Sequence, residues 1–174
     1  MAGINETANA LQRYYSNASE TKSIIKNCAL VAAGAATAGS LIPILAIPAV
    51  ITSSFGAIWV MYGKLCTALG ISLKENTLKL LARAAIANIS TNLISMLIGT
   101  LIPVGGIAIG AIATYVTVVI AGNIFLKLIL GMARSGVNVA NCNDCDLKEI
   151  VKNINVDPDE INDAKNEYKD NGNQ

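Results

Sequence analysis

The chain has 174 residues, of which 53% are hydrophobic and 14% are charged, and its formal net charge is +1. A soluble domain carries about 25% charged residues, so this composition argues against an ordinary water-soluble enzyme. Histidine is absent, which removes the commonest general base and metal ligand, and the near-neutral charge gives no field that attracts nucleic acid. We therefore expect a membrane protein that is not an enzyme, binds no cofactor and has no nucleic-acid partner.

In chain order, a polar amino-terminal arm, residues 1–21, precedes an apolar domain, residues 22–133. Within that domain no charged residue lies between Lys26 and Lys64, and residues 84–126 form a second charge-free segment. A run of about 18 or more apolar, uncharged residues is the usual sign of a membrane helix. The sequence therefore predicts that membrane lipid surrounds both segments.

Each charge-free segment contains helix-breaking residues near its middle. Pro43 and Pro48 interrupt the first segment, and Pro103 with Gly105 interrupts the second. Proline lacks a helical donor and glycine loosens the backbone, so we predict an all-α fold with two helical hairpins in a membrane-embedded bundle. The prolines could instead kink the helices without reversing the chain. The four main helices are predicted at residues 22–40, 49–69, 75–101 and 105–133.

The cations indicate the orientation of the hairpins. All thirteen Lys and Arg residues lie at or before residue 26, between Lys64 and Arg83, or from Lys127 onward. The positive-inside rule places these regions, and hence both termini, on the cytoplasmic side. Fully spanning hairpins and re-entrant hairpins satisfy the rule equally. Trp59 and Tyr62 could mark the membrane interface, with packing inside the protein as the alternative.

Two of the apolar helices carry stripes of small and polar residues, which predict close helix contacts in lipid. Intrachain packing is the favoured interpretation, and a homo-oligomer interface is the alternative. A polar pore is less favoured, because no ionisable residue accompanies the asparagines. The stripes are Asn88, Asn92, Ser95 and Gly99 on the third helix, and Gly106, Gly110 and Thr114 on the fourth.

The carboxyl-terminal tail, residues 134–174, is hydrophilic and contains most of the twelve acidic residues. Asp146 and Asp157 are predicted to cap two short helices, and Pro158 suits the first position of the second helix. We expect this partly helical tail to dock on the bundle or on a partner, with a solvated tail as the alternative.

The pair Cys142 and Cys145 is the one spacing that is typical of a metal or redox site. A zinc site needs a second such pair or histidines, and a redox dithiol needs an α/β frame that is not predicted here. We therefore predict no metal site, although half of a site shared between two chains is an alternative.

Prolines, glycines and aromatic residues follow one another in a set order between Ala29 and Leu130, namely Pro43, Pro48, Tyr62-Gly63, Ile102-Pro103, Gly110 and Thr114-Tyr115. This order resembles that of the YcjF-type GTPase-associated membrane domain, which is domain of unknown function 697. The resemblance implies a bacterial, helical membrane module that partners a GTPase. We expect that GTPase to be a separate chain, because residues 1–21 are too few to form its domain.

Three functions follow from these observations. The favoured one is a non-enzymatic integral membrane module that anchors or assembles with a partner, as a homo-oligomer in the bacterial inner membrane. The second is a pore-forming or membrane-permeabilising protein that acts through its hairpins. The third is a soluble oligomeric or lipid-binding helical bundle that encloses its apolar helices.

Overall fold

A computed structural model describes the backbone of residues 2–39, 46–100, 106–137 and 142–172. It describes the side-chain surroundings of residues 9–36, 54–89, 110–137, 142–143 and 146–171. Throughout these ranges the regular structure is helical and there is no strand, which confirms the all-α class. The helices are α1 (Ala2–Ser16), α2 (Ala18–Gly39), α3 (Ala46–Leu69), α4 (Glu75–Thr100), α5 (Gly106–Arg134), α6 (Asp144–Asn153) and α7 (Pro158–Gly172).

The four long helices, α2 to α5, lie within four residues of their predicted bounds. The largest difference is at the start of α2, because the amino-terminal arm is itself helical. The backbone N–H of Asn17 donates to the Arg13 carbonyl, and that of Thr21 donates to the Asn17 carbonyl. Helical hydrogen bonding therefore continues from α1 into α2.

The predicted helix breakers have different outcomes. Pro48 lies in the first turn of α3, where a missing N–H costs no intrahelical hydrogen bond, so it helps to begin the helix instead of interrupting it. Pro43, Pro103 and Gly105 lie outside the described residues.

Helices α3 and α5 end in the same glycine motif. Gly70 and Gly136 have φ of 67° and 68°, a left-handed conformation that glycine adopts without strain. At each end, the N–H of the next residue bonds to a carbonyl five residues back, from Ile71 to Cys66 and from Val137 to Met132. These bonds satisfy carbonyls that the helix leaves free, and they end both helices close to the charged segments of the chain.

Helix α5 lies at the centre of the bundle, in contact with α1, α2, α3, α4 and α7. Every residue from Gly110 to Val118 is buried, as expected for a helix with no polar face. On the α3 side, the Tyr62 hydroxyl donates a 3.0 Å hydrogen bond to the Ala121 carbonyl, and its ring stacks on Phe125.

The acidic tail docks on the bundle. Helix α6 packs on α4 and α7 packs on α5, with Leu147, Ile161 and Ala164 buried in these contacts. Asn143 caps α6 instead of Asp146, because its side chain accepts a 2.9 Å hydrogen bond from the Asp146 N–H. Asp157 caps α7 as predicted, through a 2.9 Å bond from the Asp159 N–H.

Within the described residues, one helical segment, Gly110–Arg134, is long and apolar enough to cross a membrane by length and composition. Most of it is buried inside the bundle. The core helix of a soluble protein has the same properties, so this segment is weak support for a membrane location.

The contact between α2 and α5 depends on a glycine. A Cβ atom at Gly122 would lie 2.8 Å from Ile25 Cγ1 and 2.9 Å from Ile25 Cδ1. We expect Gly122→Leu to force the two helices apart and to lower the free energy of unfolding by about 1–3 kcal/mol, measured by denaturant titration. Gly63→Leu is the control, because no atom lies within 4 Å of a Cβ at that position. Equal destabilisation by both variants would contradict this packing.

Candidate membrane-contacting surface

The outer face of α2 changes from polar to apolar along the helix. Ser19, Ser23, Asn27, Val31 and Ala35 are spaced four residues apart, so each lies beside the next along the helix, and all five are exposed. The first three are polar and the last two are apolar, with Val31 73% exposed. This row of exposed residues therefore changes from polar to apolar between Asn27 and Val31.

Helices α3 and α4 show the same change. On α3, Thr67 and Lys64 are exposed, and one turn further the exposed residue is Val60, at 48%. On α4, Arg83 is exposed and the next exposed residue on that face is Ala87. On all three helices, the exposed side chains thus change from polar or charged to apolar toward the two charge-free segments.

Contacts between the helices show that these three changes occur near one level of the bundle. Gly122 of α5 lies against Ile25 of α2, and Tyr62 of α3 bonds to Ala121 beside it. The Arg83 guanidinium lies 5.6 Å from the centre of the Phe55 ring. The transitions therefore fall within about two helical turns, roughly 10 Å, of one another.

Two cation–aromatic contacts between α3 and α4 lie at this level. The Lys79 ammonium is 4.8 Å from the centre of the Trp59 ring, and Arg83 lies over Phe55 one turn further along. Both aromatic rings are half-buried. Aromatic rings beside cations are typical of the boundary between lipid tails and headgroups. Tyr62, in contrast, is buried and faces α5.

The predicted packing residue Asn88 joins α4 to the tail. Its side chain is 8% exposed, and its amide donates hydrogen bonds of 2.7 Å to the Val151 carbonyl and 2.9 Å to the Ile154 carbonyl. Carbonyls at the end of a helix lack intrahelical partners, so Asn88 satisfies two groups at the carboxyl end of α6.

The other predicted packing residues fall into two groups. Gly110 and Thr114 are buried inside the bundle, so this part of the small-residue stripe on α5 faces the protein. Asn92, Ser95 and Gly99 lie on the α4 backbone and Gly106 begins α5, but their side-chain surroundings lie outside the described residues. The structure also exposes a small-residue face that the sequence analysis missed, at Gly56, Val60 and Gly63 of α3, where added Cβ atoms on both glycines would meet open space.

The described cavities and cysteines offer little chemistry. An open groove of about 530 Å³ lies beside Asn17, Glu20 and Lys64. Cys28 and Cys66 are buried, while burial and then the nearby Asp146 raise the pKa of Cys142. Across the described parts of the chain, no group of three cysteine or acidic side chains is placed to hold a metal ion.

Comparison with known proteins adds no assignment to this surface. No protein-family model, curated protein or solved structure matches the chain.

The Asn88 contact makes a testable prediction about the tail. We expect Asn88→Ala to lower the free energy of unfolding by about 1–3 kcal/mol, because the Ile154 carbonyl loses the Asn88 donor and the Val151 carbonyl keeps only a 3.4 Å bond from the Ile154 N–H. Hydrogen exchange of residues 144–153, measured by mass spectrometry, should accelerate more than exchange elsewhere. Asn76→Ala is the control, since Asn76 is exposed on the same helix. Unchanged exchange in α6 would contradict a role for Asn88 in holding the tail.

Proposed function

We propose that this protein is a non-enzymatic module that enters a membrane with the apolar end of its helical bundle and holds a partner there. The observation that carries the proposal is the change in exposed surface between Asn27 and Val31, repeated on α3 and α4. A charge-free sequence can be buried in protein, whereas exposed apolar side chains that adjoin on the surface mark a site of contact with lipid or another protein.

Lipid is the neighbour that best suits the charges around this surface. Lys64, Lys79 and Arg83 lie beside the apolar faces of α3 and α4. Long cationic side chains at the edge of an apolar surface can reach the phosphate layer of a membrane while their stems stay in contact with lipid. The aromatic contacts of Trp59 and Phe55 would lie at the same boundary.

The two-hairpin membrane bundle, its orientation and its partners are part of the same proposal. By the positive-inside rule the cationic end, with both termini, would face the cytoplasm, and the resemblance to the YcjF-type domain implies a bacterial membrane and a GTPase partner. The half-buried glycines of α3, Gly56 and Gly63, where an added Cβ atom would meet open space, would suit close contact with a second copy inside lipid.

Site-directed fluorescent labelling tests where lipid contacts the protein. Cys142 and Cys145 are first replaced by serine, and an environment-sensitive dye is then attached at Val31→Cys or at Ser23→Cys. These two sites lie on one face of α2, two turns apart, so they form a matched pair. On addition of lipid vesicles, we expect the emission at residue 31 to shift to the blue and to intensify, with little change at residue 23.

A second pair, Val60→Cys and Thr67→Cys on α3, provides an independent comparison. Residue 60 should respond like residue 31, because both are exposed at the apolar end. No response at residues 31 and 60, or an equal response at all four sites, would contradict membrane entry by this end of the bundle.

A further inference from the structure

The acidic helix α7 lies along α5 and forms salt bridges with two lysines. Both carboxylate oxygens of Glu160 lie 3.0 Å from the Lys127 ammonium on α5. Glu167 lies 3.3 Å from the Lys26 ammonium on α2. Next to Glu167, the Tyr168 ring lies 5.2 Å from the Tyr115 ring, so α7 covers α5 from Lys127 as far as Tyr115.

This arrangement is incompatible with lipid around the whole apolar segment of α5. The outer side of α7 exposes Asp163, Lys169 and Asp170, and these charges lie along the level of α5 that lipid would occupy. Charged side chains in the hydrocarbon layer are costly. Deep entry of residues 110–126 into a membrane therefore requires α7 to leave α5.

The two lysines have a second ligand available at a membrane surface. Lys26 directly precedes the first charge-free segment and Lys127 directly follows the second, so they are placed where α2 and α5 would meet lipid headgroups. Both ion pairs are partly exposed, and pairs of this kind contribute little to stability and exchange readily. A phosphate group could therefore replace either carboxylate without disrupting the core.

From this geometry we infer that α7 is an internal competitor of anionic phospholipid headgroups for Lys26 and Lys127. With α7 docked, the acidic tail covers α5 and shields both lysines. When an anionic membrane binds the lysines, α7 is released and α5 can enter the lipid. This inference rests on the proposed membrane function and adds to it the lipid class and the element that regulates entry.

Vesicle binding by charge variants of the full chain tests the competition. The variant Glu160→Gln/Glu167→Gln removes the two ion pairs. The control variant Asp163→Asn/Asp170→Asn changes the net charge equally but leaves both ion pairs in place. Vesicles contain phosphatidylcholine alone or phosphatidylcholine with phosphatidylglycerol. We expect the first variant to bind the anionic vesicles at about 5- to 10-fold lower lipid concentration than the wild type, and the control to differ from the wild type by less than about 2-fold.

A third variant, Lys26→Gln/Lys127→Gln, separates lipid binding from simple loosening of the tail. Like the glutamate variant, it lacks both ion pairs, but it also lacks the two cations that would bind phosphate. Its preference for anionic over neutral vesicles should therefore fall by about 5-fold per lysine. In the wild type, hydrogen exchange of residues 158–172 should accelerate with anionic vesicles and stay unchanged with neutral ones.

The outcomes distinguish this inference from the proposed function. Equal gains from the glutamate and aspartate variants would show a general charge effect and would overturn the competition. Tight wild-type binding with α7 still protected would also overturn it, while leaving membrane association intact. If none of the proteins binds either type of vesicle, the membrane function itself is wrong.

Discussion

Helix α5 has no charged residue before Lys127, and the arrangement of the other helices follows from that fact. Its residues from Gly110 to Val118 are buried on every side, and only a few later positions, such as Lys127, reach the surface. A helix of this kind must be surrounded by protein or by lipid. Here α1, α2, α3, α4 and α7 surround it, so each of these helices needs only one apolar face.

Enclosure by protein also decides how the polar groups near α5 are satisfied. Tyr62 uses a carbonyl of α5, and the Thr117 hydroxyl donates a 2.7 Å hydrogen bond to the Ala113 carbonyl of its own helix. Among the described residues, Thr114 lacks a partner for its hydroxyl, at a cost of about 1–3 kcal/mol. The small residue Gly122 allows the close approach of Ile25 inside the protein, as it would allow close approach of a helix in lipid. A stripe of small residues on α5 therefore does not reveal which surroundings it has.

The sequence predicted the parts of the fold that depend on local pattern. The bounds of α4 and α5 follow from long apolar runs, and Asp157 with Pro158 predicted the start of α7. The sequence did not show which element packs against each helix face. Asn88 bonds to the Val151 carbonyl, and periodicity places a residue on a face without saying what lies opposite. The docking of α7 stayed open for the same reason, because its apolar face could pack on this bundle or on a partner.

The candidate site was harder to predict because charge-free sequence has two different causes in this protein. In α5 the absence of charge accompanies burial in protein, whereas on α2 and α3 it extends to exposed residues such as Val31 and Val60. A long uncharged segment indicates that its side chains are shielded from water. Its length does not show whether protein or lipid shields them. Only the exposed residues separate the two cases, since a side chain already packed against neighbouring helices gains nothing from lipid. The membrane proposal therefore depends on the outer faces of α2 and α3 more than on the most apolar helix of the chain.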